Sequence, residues 1–357
     1  DSITVSDCTL DPVFNSATTE YSCTVINNIS SVTVNATATS TKAKVRGLGT
    51  KDLAVGKNTL PIRVIAEDGS EKIYNVNVTR KREAASLKNE IMKNTVITAN
   101  PTLTTSSNNT SDASGLYKST ATNTGNPTYY FRGNVENNYV SFAGQTWRIV
   151  RVNEDGTIRI VMQDGINSNA NITFHSNDVN YKYMYYTNNS NAKTTLESWY
   201  RTNIGSKKDL VSSVASGAYY CEQAKAKYNS SWTSGNANMT LYSSYTPDFK
   251  CSSDGNGKGV VNASVGLLTY DEVVYAGGYY NQSNSNYYLN NPAIYWWTMS
   301  PTGFSGSTSY VWYVGAASGI YFNTVTGTGR LRAVLNLTAN TQISDGDGTK
   351  ENPFTIG

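Results

Sequence analysis

The chain has 357 residues, enough for two domains. Only 15% of them are charged; polarity comes instead from Asn, Ser, Thr, Gly and 26 tyrosines, and the even spread of aromatic and β-branched residues excludes a disordered chain. A net charge of +3 without a dense Lys/Arg patch excludes nucleic acid as an expected partner, the most basic stretch being Thr79-Arg80-Lys81-Arg82. No apolar run approaches the ~20 residues of a membrane span, so membrane attachment is expected only through an anchor outside this chain. A start at Asp1 with neither Met nor an apolar signal core reads as a trimmed ectodomain.

Residues 1–82 alternate with period two and are cut by turns at hairpin intervals. The runs are Tyr21–Val25, Ser31–Val34, Leu60–Ala66 and Lys72–Val78; the turns are Asn27-Asn28, Gly56-Lys57-Asn58 and Asp68-Gly69-Ser70. About seven such strands predict an antiparallel sandwich. The stretch also resembles the bacterial cadherin-like β-sandwich family, through Leu10-Asp11-Pro12-Val13-Phe14, Tyr21, Gly56-Lys57-Asn58, Ala66-Glu67-Asp68-Gly69, Tyr74 and a closing Arg80. The resemblance implies a spacer or stalk module on the cell surface with no chemistry of its own.

Residues 83–128 read as a helix followed by a polar linker. Helix formers with Leu87, Ile91 and Met92 in register occupy 83–97, and a Thr/Ser/Asn-rich stretch follows to about Asn126. A second domain is expected over 129–357. It opens with two strands, Tyr139–Val152 and Thr157–Val161, flanking the turn Asn153-Glu154-Asp155-Gly156. One or two helices are expected within 194–217, and a short one at Asp271–Ala276 stopped by Gly277-Gly278. The four cysteines allow three pairings; the domain boundary favours Cys8–Cys23 and Cys221–Cys251, the alternative being four reduced thiols.

From Tyr295 the chain reads Tyr-Trp-Trp-Thr-Met-Ser-Pro, then Tyr310-Val311-Trp312-Tyr313-Val314, and closes with Arg330-Leu331-Arg332-Ala333-Val334-Leu335-Asn336-Leu337. This resembles the last third of a C-type lectin-like domain of the formylglycine-generating-enzyme subtype, in which a Trp-rich strand leads to a Ser-Pro turn and an Arg-containing strand closes the domain. The implied fold class is mostly β with some α: an N-terminal β-sandwich and a C-terminal C-type lectin-like α+β domain.

The intervening residues 302–329 hold no charge, no Gln and no Met, where the average composition predicts about four charged residues. Apart from Trp312, every residue type there can arise by substituting adenines in Asn codons. The pattern resembles the variable region of diversity-generating retroelement target proteins, which use this lectin-like fold for display. The resemblance implies a ligand-binding set of Thr302, Phe304, Ser305, Ser307, Ser309, Tyr310, Tyr313, Ala316, Ser318, Tyr321, Phe322 and Asn323 within a variable segment of about 302–328. The invariant frame would be Val311, Val314, Val325, Trp296, Trp297, Trp312, Arg330 and Arg332. Tyr and Phe give rigid contact area at low entropic cost while Ser, Gly and Asn adapt, the mixture that antibody paratopes use. At least three of Phe304, Tyr310, Tyr313, Tyr321 and Phe322 are expected to be exposed in one patch with the hydroxyls.

Catalysis is not expected. His175, the only histidine, has no nucleophile-elbow context and reads as a partly exposed surface residue. The cysteines fall outside the strands that match the formylglycine-generating enzymes. The Glu-Pro-Asn and Gln-Pro-Asp calcium motifs of sugar-binding C-type lectins do not occur, and Asn291-Pro292 and Asn352-Pro353 do not replace them. Asp345-Gly346-Asp347-Gly348 lacks EF-hand spacing and reads as a turn. No cofactor and no metal are expected. The expected partner is a protein or glycan surface, and the expected location is outside or on the surface of a Gram-positive-type bacterium. The alternatives are a structural or pilus-associated subunit without a diversified site and an enzyme of the lectin-like superfamily.

Overall fold

The computed structural model describes residues 2–103, 112–223, 246–251, 259–316 and 319–356. It is mostly β, and it divides into two compact units, Asp1–Ala85 and Ser86–Gly357.

The first unit holds seven strands: β1 (Ser2–Val5), β2 (Glu20–Val25), β3 (Ser31–Thr37), β4 (Lys44–Arg46), β5 (Gly49–Asp52), β6 (Gly56–Ile65) and β7 (Glu71–Arg80). They form a three-stranded sheet, β1-β3-β5, and a four-stranded sheet, β2-β7-β6-β4. Alternate residues point inward: Tyr21, Cys23 and Val25 from β2, Val32 and Val34 from β3, Leu60 and Ile62 from β6, Tyr74, Val76 and Val78 from β7. The sandwich is not wholly antiparallel, because β2 runs parallel to β7 with Tyr21 opposite Val76. A 14-residue connection separates β1 from β2 (residues 6–19), so β2 enters without a hairpin to set its direction.

The family-like anchors are the structural pins of this unit. Phe14 stacks on Tyr21 with centroids 5.8 Å apart and leans on Tyr74 at 6.1 Å. The Tyr21 hydroxyl donates towards the Asn15 and Thr18 carbonyls, closing the long loop. Asn58 ties its own turn, accepting from Ala54 N–H and donating to the Ala54 and Gly56 carbonyls. Arg80 donates to the carbonyls of Asn27 and Leu53, joining two loops. Cys8 and Cys23 are bridged, as are Cys221 and Cys251 in the second unit.

The second unit opens with helix α1 (Leu87–Met92), which buries Leu87 and Ile91. Part of the segment expected to be a linker, Gly115–Ser119, instead lies in the main sheet. Strands β8 (Val96–Ile97) and β9 (Gly115–Ser119) pair in parallel, and β9 pairs with β10 (Thr128–Arg132). Leu116 and Tyr117 are buried there, and two apolar side chains among polar neighbours escape a composition argument.

The expected long strand 139–152 is two strands, β11 (Tyr139–Phe142) and β12 (Gln145–Val152), folded back on each other at Ala143-Gly144. Both turn residues have positive φ, 54° and 70°, the twist a two-residue hairpin requires; Ala in that conformation is uncommon and leaves no cue. β12 pairs next with β13 (Ile158–Met162) around the Asp155-Gly156 turn. Helix α2 (Asn191–Tyr200) packs Trp199 against Trp147 at 6.3 Å. Helix α3 (Tyr270–Ala276) begins with a Thr269/Glu272 capping box and ends at Gly277, φ 124°. After β14 (Trp296–Ser305), β15 (Thr308–Val314) and β16 (Ile320–Thr324) come β17 (Val334–Leu337) and β18 (Phe354–Thr355). The eight-stranded main sheet runs β17-β13-β12-β10-β9-β8, with β11 joining β12 to β18. Among the described residues no helix is long and apolar enough to cross a membrane.

A buried ion cluster fastens α3 to this sheet. Glu272 Oε1 lies 3.1 Å from Arg151 Nε and 2.6 Å from Arg159 Nη1, and all three side chains are buried. A bulge makes the pairing possible. Ile149 opposes Ile160 but Arg151 opposes Arg159, so one extra residue, Val150, turns Arg151 onto the same face as Arg148. Burial by itself pushes the Glu272 carboxyl up, but Arg159 and Arg151 outweigh it and hold the group below the usual carboxylate range.

Glu272→Ala strands two buried guanidiniums and should cost about 3–5 kcal/mol in denaturant titration. Because Glu272 is held low, its contribution is complete above the ordinary carboxylate pKa and fades as pH falls through its lowered value, so Glu272→Gln should flatten the acid limb of the stability–pH curve. Residues 1–85 expressed alone should unfold cooperatively, and Cys8→Ser/Cys23→Ser, which opens a loop of sequence separation 15, should cost about 3 kcal/mol.

Candidate ligand-binding surface

Strands β14, β15 and β16 form a separate three-stranded antiparallel sheet in that order. β14 is heavily bulged: Trp297 opposes Tyr313, Pro301 opposes Val311 and Gly303 opposes Tyr310. The expected Ser-Pro turn is therefore no turn. Ser300-Pro301 sits inside the strand, at the bulge, where proline's missing N–H interrupts no ladder. Ser300 Oγ accepts the Tyr270 N–H at the start of α3, and Thr298 Oγ1 donates to the Trp312 carbonyl.

Strand period splits β15 and β16 into two faces. Tyr310, Trp312 and Val314 share one face with Phe322 and Ile320; Val311 and Tyr313 share the other with Asn323 and Tyr321. The first face is covered by Tyr270, 4.7 Å from Trp312 between centroids, and by Tyr280 at 5.6 Å. On the second face Trp297 contacts Tyr313 at 6.0 Å and Phe174 at 5.7 Å, and its Nε1 donates to the Ile172 carbonyl. Neither face is open along its whole length, because α3 and the 172–184 segment clamp the sheet between them.

The expected frame is buried: Trp296, Trp297, Trp312, Val311, Val314, Val325 and Arg332 are at most 1% exposed. Arg330 is half-buried, with its guanidinium 4.8 Å over the half-exposed Tyr295 ring. Arg332 lies 4.8 Å over the Trp296 ring, and burial pushes its guanidinium down to about 10, with the neighbouring Arg148 charge adding to the effect.

The expected binding residues divide into three groups. Ser307 and Ala316 are exposed, at the two turns that bracket β15. Phe304, Ser305, Tyr310, Tyr313, Tyr321, Phe322 and Asn323 are half-buried. Thr302 and Ser309 are fully buried and cannot touch a ligand: Ser309 N–H donates to the Asp178 carbonyl and its Oγ to that of Asn180. Ser318 lies outside the described residues. The five named aromatics do not lie in one open patch. Tyr310 and Phe322 meet edge to face at 5.6 Å on the Trp312 side, while Tyr313 and Tyr321 pair at 5.9 Å on the Trp297 side. The exposed turns sit nine positions apart in sequence, roughly 30 Å along an extended strand, so Ser307 and Ala316 do not cluster. Solvent is reached in part by Phe304 and Ser305 on β14, by Tyr310 and Tyr313 on β15 and by Tyr321, Phe322 and Asn323 on edge strand β16, and fully at the two turns.

His175 is buried rather than partly exposed. Its ring packs on Tyr183 at 4.3 Å; Nδ1 accepts the Asn177 N–H, leaving Nε2 to donate to the Asn188 carbonyl. It serves as a loop brace, which the surrounding polar residues had concealed. The Asp347 carboxylate accepts from the backbone and hydroxyl of Thr349, as in an Asx-type turn.

Residues 1–81, the seven-strand sandwich, match the family described as Cadherin-like beta sandwich domain. No curated protein and no solved structure matches the chain.

A division between frame and display makes a direct expectation. Trp312→Ala should cost about 3–5 kcal/mol, because it empties a site enclosed by Tyr270, Tyr280 and Phe322. Ser307→Tyr and Ala316→Tyr should shift stability by no more than about 0.5 kcal/mol in thermal or chemical denaturation.

Proposed function

We propose that the chain is a bacterial surface or secreted binding protein, in which a C-type lectin-like second unit presents a diversified surface and the cadherin-like sandwich serves as a spacer. The observation that carries this reading is the alternation inside one charge-free stretch of 28 residues, 302–329. Within it Val311, Trp312, Val314 and Val325 are buried, as are Thr302 and Ser309, while Phe304, Ser305, Ser307, Tyr310, Tyr313, Tyr321, Phe322 and Asn323 reach solvent wholly or in part. An ordinary surface hairpin would be expected to carry charge on its exposed positions. Rigid aromatic side chains beside small polar ones suit recognition of a protein or glycan surface, with contacts made along the β16 edge and the two turns rather than in a deep pocket. The two disulfides and the cadherin-like module support an extracellular setting, here assigned to a Gram-positive-type cell surface.

The flanking DNA tests diversification. A near-repeat of the codons for 295–335, differing at adenines and lying beside a reverse transcriptase gene, is expected. If the segment proves invariant among isolates with no such repeat, the structural-subunit reading replaces this one. A second expectation concerns the positions: variation should fall on Phe304, Ser305, Ser307, Tyr310, Tyr313, Ala316, Tyr321, Phe322 and Asn323, and should spare Ser309, Val311, Trp312, Val314 and Val325.

A further inference from the structure

Away from the display sheet, the second unit has a cleft of about 380 Å³ whose lining includes Asn134, Glu136, Tyr139, Arg148, Gln163 and Tyr288. Ser285, Asn290, Thr349, Lys350 and Glu351 complete its rim. The floor is unusual. Arg148 is only 3% exposed, yet it makes no ion pair with any carboxylate among the described residues. Its guanidinium donates to three neutral acceptors, Asn138 Oδ1 at 2.7 Å, the Val135 carbonyl at 2.6 Å and the Tyr288 carbonyl at 3.3 Å. It lies 3.7 Å from the Tyr139 ring centroid and 5.3 Å from that of Tyr288.

A second buried guanidinium, Arg332, is close enough to repel it; Arg332 forms no ion pair among the described residues, although the Asp164 carboxylate acts on it from a distance. Arg332 spends Nε and Nη1 on the Met162 and Leu289 carbonyls and leaves Nη2 without a partner. Two cleft residues, Tyr288 and Gln163, also hold buried oxygens that make no hydrogen bond. Buried charges are ordinarily paired, and an unpaired one is costly. Here one buried cation, Arg148, and two residues with unused polar groups line one cleft, with Arg332 behind them, and the acidic residues of the cleft, Glu136 and Glu351, are exposed on its rim where water screens them.

We propose that this cleft binds an acidic sugar, whose carboxylate is drawn to the Arg148 floor while its hydroxyls meet the neutral amides and hydroxyls of Asn134, Ser285, Asn290 and Thr349. The half-buried Tyr139 ring supplies the aromatic wall. The volume accommodates one or two sugar rings, and the rim, where Lys350 stands beside Glu136 and Glu351, carries no positive excess that would call for a polyanion. The site is separate from residues 302–328 and does not depend on their being diversified.

The test is calorimetric titration of the full chain with sodium glucuronate, and in parallel with glucose, acetate and sulfate. Glucuronate should bind in the millimolar range or tighter, at least about tenfold more tightly than glucose or acetate. Two exposed-rim variants that spare Arg148 should move the affinity in opposite directions, by roughly two- to fivefold each. Glu136→Gln removes a like charge and should tighten binding; Asn134→Asp adds one and should weaken it. Equal binding of glucose overturns the role of the carboxylate, and equal binding of acetate or sulfate overturns the role of the sugar. No heat with glucuronate at ~10 mM, or rim variants that leave its affinity unchanged, overturns the site itself.

Discussion

The second unit hangs on the contact between Glu272 and the paired arginines Arg151 and Arg159. Helix α3 is short, and a helix of seven residues has little stability of its own. It is held at both ends by arginine. At its start Glu272 closes the capping box and meets the two guanidiniums of the sheet; at its end Arg132 donates to the carbonyls of Val274 and Tyr275. The same network reaches the far edge of the sheet, since Arg159 Nε and Asn153 Nδ2 both donate to Asn336 Oδ1 in β17. Such a cluster adds little net stability over a well-packed apolar one, because removing three charges from water is expensive. Its effect is to allow one position of the helix, since any shift would leave a buried charge unmatched.

That position matters because α3 carries Tyr270, which packs on Trp312 at the centre of the three-stranded sheet, while Ser300 from β14 accepts the Tyr270 N–H. The line from Glu272 through Tyr270 to Trp312 connects the main core to strands β14, β15 and β16. With the sheet clamped on both faces, its backbone does not depend on the identity of the solvent-reaching side chains. A scaffold of this sort tolerates changes at Ser307 or Tyr321 and resists them at Trp312 or Val311. Clamping also leaves neither face of the sheet open along its whole length.

The sandwich follows simpler rules. Its inward set is apolar at every second residue, and its loops are tied by a few directed side chains, Tyr21, Asn58 and Arg80, each satisfying backbone groups that a loop would otherwise leave unpaired. Nothing comparable to the buried ion cluster occurs among its described residues, whose ion pairs, Lys42–Glu67 and Arg63–Glu71, are exposed.

The amino-acid sequence by itself determined the features that depend on near neighbours. Period two places Val76 and Val78 inward wherever their strand pairs, the Asp155-Gly156 turn forces β12 back on β13, and Gly277 stops α3 because only glycine takes its positive φ without strain. The cysteine pairs and the buried Trp and Val frame were legible in the same way. Tertiary structure alone decided which faces were covered. One bulged residue, Val150, turns Arg151 onto the Arg148 face; a fold-back at Ala143-Gly144 divides one apparent strand into two; and Leu116 with Tyr117 draws a polar stretch into the main sheet. Ser309 is indistinguishable by residue type from the exposed Ser307, yet the backbone of Asp178 and Asn180, some 130 positions earlier in the chain, seals it from solvent. Strand period is a local property of the backbone, whereas burial depends on what the rest of the chain lays over it.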